Sequence, residues 1–191
     1  MIHEFSNELQ LDIRKSRMFL HEVYFWTDTI KDWRSLLKND VNKKIIMDCW
    51  RELVRRQKIV VYGFVIMPNH IHVLWEMIAK NGKEMPYASF NKFTSHQFLD
   101  QLRSTGQHAH LFIYNERTTE RRHRFWQRDA LAVLVDYKNM FERILNYIHL
   151  NPLQDHWRLA DKPEDYPWSS AKFYETGVDD FGFLTHYKER F

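Results

Sequence analysis

The chain has 191 residues, enough for one domain with a proper core. Hydrophobic residues are 44% and aromatics 16%, with Gly 5 and Pro 5, which excludes a disordered or low-complexity protein. Cys49 is the sole cysteine, so no disulfide framework exists within the chain, and a net charge of +3 is too small to mark a nucleic-acid partner by itself.

The start, Met1-Ile2-His3-Glu4-Phe5, has no cationic run leading into an apolar one. No uncharged stretch reaches membrane-spanning length, so the expectation is a cytoplasmic protein with no membrane partner. Residues 1–16 are polar and mixed and read as an arm or a short helix. Alternation rich in Phe, Val, Tyr and Trp over 18–27 predicts a first strand. Residues 41–57 carry Val41, Ile45, Ile46, Cys49, Trp50, Leu53 and Val54 at helical spacing, with Asp40 as the predicted N-cap. Cys49 in that stripe reads as a small buried side chain.

Residues 59–67 are β-branched and aromatic, a central strand, and Pro68-Asn69 makes a turn. Over 70–77 the pattern alternates, with Ile71, Val73, Trp75 and Met77 on one side and His70, His72, Leu74 and Glu76 on the other. Asn81-Gly82 is a turn before a second helix at 87–103, carrying Phe90, Phe93, Phe98, Leu99 and Leu102. A further strand is predicted at 124–135. A third helix follows at 136–150, with Phe141, Ile144, Leu145 and Ile148 as its core side and Pro152 as its stop. The remainder, 153–191, reads as a tail with turns and one short helix.

The order β-α-β-β-α-β-α predicts an α+β fold with a ferredoxin-like split βαβ core. An antiparallel sheet would carry helices on one face and leave the other open for a ligand, with an additional C-terminal helix. One domain over 1–191 is expected, its core about 18–152.

Strand periodicity puts His70 and His72 on one sheet face, roughly 7 Å apart at the backbone, close enough to share a metal. Two surface histidines on an exposed strand would give the same pattern, and the residues alone do not choose. Tyr147 and Asn151 lie one helical turn apart. By helix chemistry alone they read as a core-edge tyrosine and a helix-ending asparagine before Pro152. Arg117, Arg121, Arg122, Arg124 and Arg128 crowd one segment with Phe125 and Trp126 among them. That segment reads equally as a solvated loop or as a phosphate-contacting strip.

The string Tyr62-Gly63-Phe64-Val65-Ile66-Met67-Pro68-Asn69-His70-Ile71-His72-Val73-Leu74-Trp75 resembles the HUH signature of the REP-associated tyrosine transposases, which belong with the single-tyrosine transposases of small insertion sequences. Tyr147-Ile148-His149-Leu150-Asn151-Pro152 resembles the family's tyrosine helix, and Asp165-Tyr166-Pro167-Trp168-Ser169-Ser170-Ala171 its C-terminal signature. Asn91-Lys92-Phe93-Thr94-Ser95 and Trp126-Gln127-Arg128-Asp129 match weaker family features, and the likeness runs over about 18–174. The resemblance implies His70, His72 and Asn151 as ligands of Mg²⁺ or Mn²⁺ and Tyr147 as the catalytic nucleophile on a DNA phosphate. It further implies a 5′-phosphotyrosine intermediate in cleavage and rejoining of single-stranded or hairpin DNA. Lys92, Arg117, Arg121, Arg122, Arg124, Trp126 and Arg128 are the candidate DNA contacts, and relatives include monomers and homodimers.

Where many relatives continue after Asn-Pro with a Val-Arg-Ala-Gly-like run, this chain has Leu153-Gln154-Asp155-His156-Trp157-Arg158, so its loop contacts there differ. Three other classes fit parts of the pattern: a catalytically silent hairpin-binding regulator, a metal-dependent hydrolase of a small substrate, and an interaction module with exposed histidines.

Overall fold

The computed structural model describes the backbone at 18–107, 111–118, 121–128 and 130–191, without the side chains of 116–118 and 121–122. The arm expected over 1–16 lies outside the described residues.

The β-branched and aromatic segments form strands β1 (Val23–Thr29), β2 (Ile59–Ile66) and β3 (His70–Met77), and a shorter β6 (Leu131–Leu134) joins them. Their order is β2-β3-β1-β6 with every pairing antiparallel, so β1 and β2 run parallel on either side of β3. That is the split βαβ arrangement expected from the sequence. Helices α1 (Asp40–Arg55) and α2 (Pro86–Ser104) cover one face, burying Ile46, Trp50, Leu53, Phe90, Phe98 and Leu102 against Trp26, Val73 and Trp75.

The second face is not open along its length. Helix α3 (Lys138–Leu150) lies on it, and Phe141, Ile144, Leu145 and Ile148 pack against Phe25, Val65 and Leu74. Leu74 shares its face with the histidines, so the alternation held but the face is covered. Polar side chains occupy its two ends: His70 and His72 at one, and at the other Glu76, which accepts from Tyr62 Oη at 2.7 Å and from Arg190 Nε at 3.2 Å.

Three local expectations change. The N-cap of α1 is Asn39, whose side chain accepts from the Val41 amide, while Asp40 sits in the first turn and pairs with Lys43. Val41 and Phe93 are exposed rather than core. The strand expected over 124–135 is broken: Trp126 bridges Ile30 while Leu131 pairs with Thr27, so two extra residues bulge out between them. Ahead of that break, β4 (Asn115–Thr118) and β5 (Arg121–His123) form a hairpin that the charge-rich segment did not suggest.

The tail after α3 covers the free edge of β2. Ser169 bridges Val65 and Leu184 bridges Val61, and the amides of Ile66 and Thr185 donate to Trp168 and to Val61. Unpaired strand edges invite association with other chains, and this segment removes the exposure. It includes one short helix, α4 (Ala171–Thr176). Among the described residues no helix is long and apolar enough to cross a membrane.

Candidate metal and tyrosine centre

β3 pairs with β1 so that Thr27 faces His72 and Thr29 faces His70. Both imidazoles are buried, with ring centroids 4.7 Å apart. Each ring spends its Nδ1 on the protein. His72 Nδ1 lies 2.7 Å from Thr27 Oγ1, and His70 Nδ1 lies 2.7 Å from Asn69 Oδ1. A carbonyl-type oxygen accepts only, so Asn69 fixes the proton of His70 on Nδ1 and leaves Nε2 as a lone pair. Burial, with His156 nearby, pushes the His70 pKa down to about 3, and burial beside His70 holds His72 well below its ordinary value. Both rings are therefore neutral, the form in which histidine binds a metal.

Helix α3 delivers the other two residues. Tyr147 is half-buried, its ring centroid 5.6 Å from that of His72 and 6.4 Å from that of Phe25. Burial raises the phenol's pKa, and a hydrogen bond from the Asn151 side chain opposes the rise. Asn151 follows the last turn of α3 and opens a short 3₁₀ turn, Asn151–Leu153, with Pro152 behind it. It is only 1% exposed, and its side chain reaches Tyr147, whose ring lies beside His72.

The fit to a metal can be judged from the polar atoms left over. His72 Nε2 and Asn151 Oδ1 are both buried and have no hydrogen-bond partner among the described residues. Leaving such an atom unmet costs roughly 1–3 kcal/mol. Two unmet acceptors beside one phenol match a cation better than they match any further protein donor. Among the described residues no group of three or more His, Cys, Asp or Glu side chains could hold a metal. His70, His72 and Asn151 could together offer a metal at most two imidazole nitrogens and one amide oxygen, fewer donors than a closed site needs.

α3 is held in place from behind. His149 Nε2 lies 2.8 Å from Ser170 Oγ, which also accepts from the Phe64 amide at 2.9 Å. Burial lowers the His149 pKa to about 4, so it serves as a neutral partner. Sequence reading missed Thr27, Asn69, His149 and Ser170 as supporting residues. Asn69 adjoins His70 in sequence and could have been flagged, whereas Thr27 needs the β1–β3 register to be seen.

The candidate DNA contacts scatter. Trp126 is corrected: it is 3% exposed, packs on Phe90 and Phe98, and its Nε1 donates to Thr94 Oγ1, so it is a core residue and not a base-stacking one. Lys92 pairs with Glu84 at 3.0 Å on α2, the helix covering the opposite sheet face from the histidines. Arg128 is exposed and Arg124 half-buried. Arg117, Arg121 and Arg122 lie on the β4–β5 hairpin, with side chains outside the described residues. A cleft of about 470 Å³ lined in part by Arg34, Lys38 and Tyr114 lies apart from the histidines and Tyr147.

No family model matches the chain. No curated protein matches it by sequence. Among solved structures, the fold is similar to that of a REP-associated tyrosine transposase bound to a REP hairpin, with a TM-score of 0.58 over 91% of this chain and 92% of that one, at 15% identity. A Deinococcus radiodurans protein assigned as a transposase matches more loosely, with a TM-score of 0.41 over 71% of this chain and 95% of that one, also at 15% identity.

Proposed function

We propose that the chain is a metal-dependent tyrosine transposase that cleaves and rejoins single-stranded or hairpin DNA. The observation that carries this reading is that two buried, unpartnered acceptors, His72 Nε2 and Asn151 Oδ1, both sit beside Tyr147. The likeness in fold to a transposase bound to a REP hairpin supports it. His70, His72 and Asn151 would hold Mg²⁺ or Mn²⁺, which when bound supplies a Lewis acid to a phosphate oxygen and eases loss of the phenol proton. Oxygen from Asn151 and from the phosphate suits such hard ions.

The chain's own residues do the rest. Asn69 and Thr27 hold the two imidazoles in orientation. The Asn151 amide donates to the phenol oxygen and so favours its ionised form. Tyr147 Oη attacks the scissile phosphorus; the new O–P bond forms as the P–O3′ bond breaks. The proton lost by the phenol is balanced by the one taken up at O3′, leaving a 5′-phosphotyrosine and a free 3′-hydroxyl. The covalent link keeps the bond's energy, so another 3′-hydroxyl can reverse the step without ATP. A phosphate in a stacked duplex would not reach so recessed a centre, which selects unpaired DNA. Arg128, Arg124 and the hairpin arginines Arg117, Arg121 and Arg122 are then backbone contacts, in a monomer or a homodimer, and Lys92, on the opposite sheet face, is not.

The test mixes the protein with labelled single-stranded hairpins from repeats flanking its own gene, in Mn²⁺, on a denaturing gel. Label should shift to protein size and vanish in Tyr147→Phe, while native-gel retardation persists. A covalent species that survives Tyr147→Phe overturns the nucleophile. Retardation with no covalent species, across hairpins and metals, overturns cleavage in favour of a binding-only regulator.

A further inference from the structure

Two tryptophans flank His70. Trp33 meets it edge-on with ring centroids 6.3 Å apart, and Trp157 is tilted against it at 6.0 Å. Trp33 is 51% exposed, although it stands beside a buried cluster. Its backbone has φ 55, as does that of Asp32, a left-handed conformation that bulky residues rarely adopt. Asn69 locks the arrangement: its Nδ2 donates to the Trp33 carbonyl at 3.2 Å while its Oδ1 holds His70 Nδ1. One side chain therefore fixes both the imidazole and the indole next to it. Trp157 Nε1 is buried without a hydrogen-bond partner among the described residues, a donor uncommitted beside His70. A left-handed backbone that presents half of an indole to solvent beside the histidines points to a ligand with a flat face.

We infer that Trp33 and Trp157 form a stacking subsite for the nucleobase adjoining the scissile phosphate. The inference rests on the DNA reading proposed above and adds where the strand is gripped. Base–indole stacking is tolerant of sequence, so the subsite orders the strand rather than reading it. Arg34 and Lys38, just past Trp33 in the chain, line the 470 Å³ cleft. Lys31 Nζ donates to the carbonyls of Ile113 and Asn115, both at 3.2 Å, which ties the Trp33 loop to the base of the arginine-bearing hairpin.

The experiment measures anisotropy of two labelled 12-mers in Mg²⁺, one of deoxythymidine and one fully abasic, with the full chain and with Trp33→Ala and Trp33→Phe. Trp33→Ala should weaken the deoxythymidine 12-mer roughly 5- to 100-fold and leave the abasic strand within about two-fold, and Trp33→Phe should recover most of the loss. Thermal midpoints of both variants should match the parent, since half of the indole is already in solvent. Equal binding by Trp33→Ala, or equal loss on both strands, overturns the subsite while leaving Tyr147 chemistry intact. Failure of the parent to bind either strand overturns the subsite and the DNA reading together. A base-dependent loss in Trp33→Ala upholds the subsite even if the hairpin assay above returns no covalent species, which would remove only the cleavage reading.

Discussion

Thr27 Oγ1 and His72 Nδ1 lie 2.7 Å apart across the β1–β3 ladder, both side chains buried. The bond spends one imidazole nitrogen on the sheet and leaves the other, Nε2, buried without a partner among the described residues, the Tyr147 ring centroid 5.6 Å from that of His72. Thr27→Val keeps the shape and deletes the anchor. Mn²⁺ affinity by calorimetry should fall about 10- to 100-fold, and Thr27→Ser should restore it. Unchanged affinity in Thr27→Val would show that this hydrogen bond does not position His72 for a metal.

Gly63 lies on β2 under the tyrosine helix, and a Cβ there would sit 2.6 Å from Leu145 Cδ1. The missing side chain lets α3 approach the sheet closely enough for Tyr147 to reach His72. Gly63→Ala should cost about 1–3 kcal/mol by denaturant unfolding. Leu145→Ala in the same chain should relieve the clash, so the double variant should be more stable than the two single losses imply. Simple additivity would place the close contact elsewhere.

Asp28 is fully enclosed on the α1–α2 face, with Asn91 Nδ2 donating to Oδ2 at 2.9 Å and the Thr29 amide donating to Oδ1 at 2.8 Å. Burial outweighs both bonds and raises its pKa from 3.8 to about 8. Between those values the folded chain binds a proton that the unfolded chain has released. Stability from this group is therefore full below about pH 4 and falls as pH rises toward 8. Asp28→Asn should raise the thermal midpoint, by more at pH 8 than at pH 5. A gap that does not widen with pH would mean the carboxyl ionises without penalty.

Much of the frame is legible from local pattern. The alternation over 70–77 placed His70 and His72 on one face, because neighbouring strand residues point to opposite sides whatever the sheet's partners are. The apolar stripe Phe141, Ile144, Leu145 and Ile148 likewise identified the buried side of α3. Local pattern failed at Trp126, where a tryptophan among arginines suggested a base contact and the ring lies instead in the core, its nitrogen met by Thr94. Aromatic character is the same in both settings, and only the packing partners distinguish them.

By itself, then, the sequence determined the first three strands, the three long helices, the shared face of the histidines and the one-turn spacing of Tyr147 and Asn151, all of which follow from fixed backbone periods. Only the tertiary structure decided that α3 lies on the histidine face, that Thr27 stands opposite His72, and that Trp33 meets His70. Those juxtapositions depend on strand register and helix docking. Both are set by burial summed over many residues far apart in the chain, and no local period encodes them.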